Sequence, residues 1–176
     1  MTQKDPAAAS KGKVIALARA AASALLTTAL GGSASAATGG WVSTTITGSW
    51  SANTTYTCYS RVVGDTLELR IRIDLAGAPT SATLTINMPS GRAINYTKLN
   101  RTASTDGSPV VGTGSILDFG VGTFLAVPIV TSTSGDVVQV SSVVAADNSF
   151  AAVTQAAPIT FASGDRINLY IQVPIT

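Results

Sequence analysis

The sequence predicts an all-β protein: an antiparallel jelly-roll sandwich of about eight strands, preceded by an N-terminal helix and a linker rich in Gly, Ser and Ala. Apolar residues alternate with polar ones at positions 66–75 and 167–175, which is typical of strands with one buried face. Gly-Asp pairs at 64–65, 135–136 and 164–165 indicate tight turns ahead of strands. No helical periodicity interrupts these elements, which favours a sandwich over a mixed fold.

The chain divides into three segments: residues 1–30, a Gly-Ser-Ala linker at 31–40 that is expected to be flexible, and a β-domain at 41–176. Only 11% of the residues are charged. Four basic residues outweigh Asp5 in the first 37 positions, which gives +3, whereas seven basic residues face eight acidic ones in the remainder, which gives −1. The β-domain is therefore not basic, and no nucleic-acid partner is expected.

The first segment fits two interpretations. As a secretory signal peptide, it has basic residues ahead of an apolar stretch at 20–30, and Ala34-Ser35-Ala36 provides a cleavage site. As an anchoring helix, it begins at Asp5-Pro6, ends at Gly31-Gly32 and carries a tight apolar seam. The residues of this predicted helix face are Val14, Ile15, Ala18, Ala22, Leu25, Leu26 and Ala29.

Such a helix would bundle at a three-fold axis or dock into a larger particle. The apolar run after Arg19 is too short to cross a bilayer as a helix, which needs about 20 apolar residues, so no membrane span is expected.

The clearest predicted strand is 66–75, with five apolar residues on one face and charged residues on the other. The Gly64-Asp65 turn joins it to a strand at 55–63 as a hairpin. Further strands are predicted at 42–47, 82–88, 114–119, 124–131, 137–145 and 159–161.

The Gly-Asp turns have a structural explanation, because Gly supplies positive φ and Asp caps the turn by bonding its own backbone. These turn residues are Gly64, Asp65, Gly135, Asp136, Gly164 and Asp165. The Gly-x-Gly pairs at 112–114 and 120–122 lack the ending of a phosphate-binding loop and are interpreted as loops beside a strand.

The sequence holds little reactive chemistry. It has no His, which excludes Ser-His-Asp and Cys-His catalysis and His-ligated zinc. Cys58 is expected to be a partly buried thiol on a strand, and the single glutamate, Glu68, lies on the solvent face of one. Asp106 and Asp147 lack the dense spacing of a calcium loop. No catalytic residue, metal ligand or cofactor is predicted.

The aromatic residues are expected mainly in the core, where Trp41 and Trp50 would close one end. A surface aromatic that stacks on a glycan is the other use of such residues. The candidates for this ligand surface are Tyr96 and Phe150, in loops near 95–108 and 147–155.

Three sequence segments of the β-domain carry a family resemblance. They are residues 50–56 with the following 61–69, residues 84–91, and residues 161–175. Together they resemble small jelly-roll domains of tailed-phage structural proteins, which occur in head fibres, capsid decoration proteins and receptor-binding tips. Their architecture resembles the tumour-necrosis-factor jelly roll, which usually trimerises. The resemblance covers about 41–176, leaves out the N-terminal helix and implies no catalytic residues.

The resemblance implies a non-enzymatic virion protein of a tailed bacteriophage: a trimeric capsid decoration or cement protein, or a short fibre, anchored by its N-terminus. Its partners would be copies of itself, capsid or tail proteins and, as a further candidate, a host surface glycan. The alternative is a secreted bacterial jelly-roll binding module that loses a signal peptide and binds a glycan or a protein.

Overall fold

The structure is a computed structural model that describes residues 40–99, 108–132, 135–144 and 149–176. Within these ranges the chain forms nine strands and no helix, and every strand pairing is antiparallel. The prediction of an all-β antiparallel domain is therefore confirmed. The predicted anchoring helix, the cleavage site and nearly all of the linker lie outside the described residues.

The strand bounds follow the chain in order. They are β1 (Val42–Ser43), β2 (Thr54–Val63), β3 (Thr66–Leu75), β4 (Thr85–Asn87), β5 (Val110–Asp118), β6 (Thr123–Thr131), β7 (Val137–Val144), β8 (Ser149–Ala152) and β9 (Arg166–Pro174).

Eight of these strands form one curled sheet in the order β1-β2-β3-β9-β5-β6-β7-β4, and β8 pairs with the second half of β7. The two ends of this order meet on one segment of the chain. Residues 42–43 pair with β2, whereas residues 47–49 bond to β4, where Gly48 lies opposite Ile86. The sheet therefore curls until both of its edges are hydrogen-bonded to residues 42–49.

The inner face of the sheet is apolar because the strands alternate as predicted. In β3 every second side chain is buried from Leu67 to Leu75, and in β9 the same holds from Ile167 to Val173. These positions lie opposite each other, with Leu69 paired to Ile171. Each such side chain contributes about 1.5–3 kcal/mol by leaving water, so these two strands supply much of the stability of the core.

Trp50 fills one end of the core and is fully buried. Its indole N–H donates to the Ala82 carbonyl at 2.8 Å, and its ring meets Phe161 edge-on with 5.0 Å between centroids. The Tyr56 hydroxyl donates to the Trp50 carbonyl at 2.9 Å. Burial raises the pKa of Tyr56 to about 12, so this hydroxyl stays protonated and keeps donating.

Two predicted features are wrong in detail. Residues 159–161 are not a strand, because the Phe161 N–H bonds to the Gln155 carbonyl within its own loop while its ring enters the core. Conversely, β8 begins at Ser149, where a turn was predicted, and Ser149–Ala152 pairs with residues 141–144 of β7.

Strand β5 begins at Val110, four residues earlier than predicted. Gly112 therefore lies within the strand instead of a flanking loop, and Gly114 lies in its middle instead of at its start. A Cβ on Gly114 would come within 2.5 Å of the Asn168 carbonyl, and one on Gly112 would clash with the Tyr170 carbonyl. These glycines allow β5 to lie against β9, which is a recognised use of glycine inside strands.

We predict that Gly48→Ala destabilises the domain by about 2 kcal/mol or more, because the added Cβ would lie 2.5 Å from both the Thr85 carbonyl and the Tyr56 hydroxyl. Urea unfolding followed by Trp fluorescence measures this change. The matched control is Gly120→Ala, where the nearest atom would lie 3.5 Å away and the free energy of unfolding should change by less than about 0.5 kcal/mol. Equal effects of the two variants would contradict closure of the sheet at Gly48.

Candidate functional site

The polar positions of β2, β3, β9 and β5 share the outer face of the sheet, and the strand register aligns them in rows. They surround an open groove with a volume of about 660 Å³, which we call the outer-face groove. One row of the groove consists of Tyr59, Arg70, Tyr170 and Thr113, and the next of Thr57, Arg72, Asn168 and Ser115.

The shape of the groove follows from side-chain size. Strand β5 contributes only the small residues Thr113, Gly114 and Ser115, whereas β2, β3 and β9 contribute the larger side chains of Tyr59, Arg70 and Tyr170. Strands β3, β9 and β5 are paired on both edges, so the floor beneath these side chains is fixed by main-chain hydrogen bonds. The position of the groove is thus set by the paired strands of the sheet.

Trp41 lies beside the groove, on the outer surface, and does not close the core as the sequence suggested. Its ring centroid is 4.4 Å from the Arg70 guanidinium carbon, 4.8 Å from that of Arg61, and 6.5 Å from the Tyr170 ring. Cation–π attraction of this kind stabilises by about 0.5–1 kcal/mol at exposed sites. The half-buried indole therefore holds two arginines against the sheet.

Glu68 lies on the outer face, as predicted, yet it is buried beneath its neighbours. Arg61 donates to it from Nε at 2.6 Å, and Gln172 donates from Nε2 at 3.2 Å. The hydrogen bond from Arg61 is the main reason that the pKa of Glu68 is lowered. Glu68 is therefore ionised at neutral pH and neutralises Arg61.

Asp74 is shared by two further arginines of this face. The Arg72 Nε lies 2.7 and 3.0 Å from the two Asp74 oxygens, and the Arg166 Nε lies 2.9 Å from Oδ1. The hydrogen bond from Arg72, followed by that from Arg166, lowers the pKa of Asp74. Among the residues that the structure describes, Arg70 has no carboxylate within salt-bridge distance, so it supplies the uncompensated positive charge of the groove.

Gly64 and Asp65 form the two-residue connection between β2 and β3. Gly64 has φ 62°, and it is the first central residue, where a type II′ hairpin turn needs a positive φ. Asp65 makes an ion pair with Lys98, and the hydrogen bond from that ammonium is the main reason that its pKa is lowered.

The other two Gly-Asp pairs reach beyond their own turns. Gly135 has φ 73°, and Asp136 accepts the Ile94 N–H at 2.7 Å. Gly164 has φ 94°, and the buried Asp165 accepts two backbone N–H groups, one from Ala162 at 2.8 Å and one from Phe119 at 2.9 Å. The Phe119 bond ties β9 to the β5–β6 turn, a link that no local pattern could reveal.

The two aromatic residues considered as a ligand surface occupy different environments. Tyr96 packs against the core and its hydroxyl donates to the Gly135 carbonyl. Phe150 is exposed on β8 opposite Val143. Sequence reasoning therefore missed the groove residues, which it treated as a solvated strand face. The sequence does show an aromatic or arginine residue on the polar face of β2, β3 and β9. Only the order of the strands in the sheet shows that these residues are neighbours.

Cys58 faces the core, and burial raises the pKa of its thiol to about 11. In the described ranges no three His, Cys, Asp or Glu side chains are grouped so as to hold a metal ion. Asp106 and Asp147, considered for calcium, lie outside those ranges. Within the described ranges there is no helix that is long and apolar enough to cross a membrane.

No protein-family model, curated protein or solved structure matches this chain. The function is therefore inferred from the fold, the charge distribution and the surfaces described above.

We predict that Asp74→Asn weakens the acid sensitivity of the domain. The pKa of Asp74 is lowered from 3.8, so its stabilising effect is complete above about pH 4 and is lost as the pH falls through the lower folded value. The variant should be less stable at pH 7 by about 0.5–1 kcal/mol, the scale of an exposed ion pair, and this difference should shrink towards pH 2. Urea unfolding at several pH values measures it. A difference that is the same at pH 7 and pH 2 would refute the ion pair.

Proposed function

We propose that this protein is a non-enzymatic structural protein that functions by assembling with copies of itself. In the form suggested by the resemblance, it is a trimeric virion protein of a tailed bacteriophage, a capsid decoration or cement protein or a short fibre, with a jelly-roll domain and an N-terminal anchor. The observation that carries this proposal is an exposed apolar surface on a side of the domain that is almost free of charge.

The charge is distributed very unevenly in the β-domain. From residue 108 to residue 164 the sequence has three aspartates and no Lys or Arg, whereas β2, β3 and β9 together carry six charged residues. We call the part formed by β5 to β8 and their connections the charge-poor side. Most of the exposed large apolar side chains of the described residues lie there: Val110, Phe119, Val121, Phe124, Val143 and Phe150.

The β5–β6 turn is the most apolar part of this side. Phe119, Val121 and Phe124 are 67%, 73% and 71% exposed, although they fall within six residues of one another. The turn is held by Asp118, whose carboxylate accepts the Val121 N–H at 3.2 Å. A fixed turn that keeps three large apolar side chains in water is typical of an interaction site.

Assembly with further copies fits this surface better than binding of a charged partner. Interface cores are depleted of charged residues, and interfaces between identical subunits are the more apolar class. A side without Lys or Arg offers nothing that an acidic partner could pair with. The resemblance supplies the trimeric stoichiometry and the location in the virion, with capsid or tail proteins as the partners of the N-terminal segment.

A second candidate function is favoured by the outer-face groove: a secreted bacterial jelly-roll binding module with a cleaved signal peptide. A concave site with aromatic and polar lining is typical of ligand binding. The two functions differ in what happens to the first 36 residues and in where the protein is found.

We predict that the intact chain forms a trimer and that a double variant, Val121→Asp with Phe124→Asp, is monomeric, because the charges would be buried without partners. Light scattering after size exclusion measures the mass against the 17.7 kDa of one chain. The control is Val63→Asp, an equally polar change at an exposed valine on β2, which should leave the trimer intact. A parent protein that is monomeric at every concentration tested would overturn the proposed assembly.

We also predict that protein taken from its native source retains residues 1–36 and is bound to particles. An uncleaved N-terminus is required for an anchor, whereas a signal peptide would be removed near Ala36. Intact-mass spectrometry of the particle-bound and secreted fractions distinguishes the two. A chain that begins near Ala37 in the secreted fraction would replace the virion proposal with the exported binding module.

A further inference from the structure

Arg70 is held in a way that leaves its hydrogen-bonding edge available. Its guanidinium lies against the Trp41 ring at 4.4 Å, and the side chain is exposed. No hydrogen bond or ion pair of the described residues occupies the Arg70 N–H groups, and guanidinium N–H groups match the two oxygens of a carboxylate. Arg61 is paired with Glu68, and Arg72 and Arg166 share Asp74, whereas Arg70 has no carboxylate partner among the described residues. Arg70 is therefore the arginine of this face with the most room for an anion.

Aromatic rings stand on both sides of Arg70 in the same row of the sheet. Tyr59 on β2 and Tyr170 on β9 are its cross-strand neighbours, and Tyr59 is about half exposed. The adjoining part of the groove is lined by hydroxyl and amide side chains, from Thr57, Thr113, Ser115 and Asn168. This combination offers apolar ring faces, neutral hydrogen-bonding groups and, at Arg70, a guanidinium without a carboxylate partner among the described residues, beside Arg72, which is paired with Asp74.

We infer that the outer-face groove binds an oligosaccharide that carries a carboxylate group. Arg70 pairs with the carboxylate, the tyrosines pack against the sugar rings, and the hydroxyl and amide groups bond to sugar hydroxyls. The groove volume of about 660 Å³ lies within the usual range for small-molecule sites, about 300–1,000 Å³. This site is distinct from the apolar β5–β6 turn, so the inference does not depend on the proposed assembly.

Other anionic ligands fit the groove less well. An extended peptide binds a sheet by adding to an open edge, but β3, β9 and β5, which form the floor, are paired on both edges. A nucleic acid needs several uncompensated cations along its backbone, whereas the residues from 38 onward carry a net charge of −1 and the groove a single free guanidinium.

The test uses the full-length chain with two acidic probes, trigalacturonate and 3′-sialyllactose, each compared with its methyl ester, which has the same rings without the charge. Amide chemical-shift titration by NMR gives the dissociation constant and locates the site. We expect at least one acidic probe to saturate, with shifts centred on residues 57–59, 113–115 and 168–170. Its methyl ester should bind at least about tenfold more weakly, since a charge-assisted pair is lost.

Variants separate the role of Arg70 from a general effect of charge. Arg70→Gln should weaken binding by at least about tenfold, whereas the matched control Arg92→Gln, an exposed arginine that does not line the groove, should not change it. Tyr59→Ala should weaken binding without altering any charge. The double variant of Val121 and Phe124 should bind as the parent does, so failure of assembly and failure of this site remain distinguishable.

The inference is overturned if neither acidic probe binds, if the methyl esters bind equally well, or if the shifts map to another surface. It is also overturned if a glutamate-rich peptide binds the groove as tightly as the better oligosaccharide, because the site would then recognise the carboxylate alone.

Discussion

The fold depends on one constraint: both edges of the curled sheet are hydrogen-bonded to the same segment, residues 42–49. Strands β2 and β4 are far apart in the strand order, and among the described residues this segment is hydrogen-bonded to both of them. Trp50 directly follows and locks the segment in place through its indole bond to Ala82 and its packing on Phe161. An open strand edge leaves backbone N–H and C=O groups unpaired. Residues 42–49 supply hydrogen-bond partners to β2 and to β4, so one short segment covers an edge of each strand.

The same segment determines what lies on each face. Trp50 at its end enters the core, whereas Trp41 just before it remains outside and packs against Arg61 and Arg70. The rigid rows of β2, β3 and β9 then hold the charged side chains in register. Glu68 pairs with Arg61, and Asp74 pairs with both Arg72 and Arg166, whereas Arg70 lies between two tyrosines. The electrostatic character of the groove is thus a result of strand pairing, not of net charge.

Local pattern predicted the elements that are locally determined. The alternation in β3 and β9 and the Gly64-Asp65 hairpin follow from period-two burial and turn geometry alone. The placement of β9 between β3 and β5 does not, because Glu68 and Gln172 meet across 104 positions of sequence. For the same reason the sequence predicts a loop at Gly112: a glycine required by a neighbouring strand cannot be distinguished locally from one that ends a strand.

The two surfaces have different requirements, and the fold satisfies both by separating them. Burial of the apolar β5–β6 turn needs a side without charge, whereas the groove needs a held cation, and β5 is the strand where the two regions meet. A shallow groove open to water gives little affinity for a sugar on its own, because few ligand atoms are desolvated. A trimer carries three copies of the groove, and simultaneous binding by linked sites can raise the overall affinity about 10²–10⁴-fold over a single site where the geometry allows it. Assembly would therefore turn a weak site into an effective one, which gives the charge-poor side a role in binding as well as in structure.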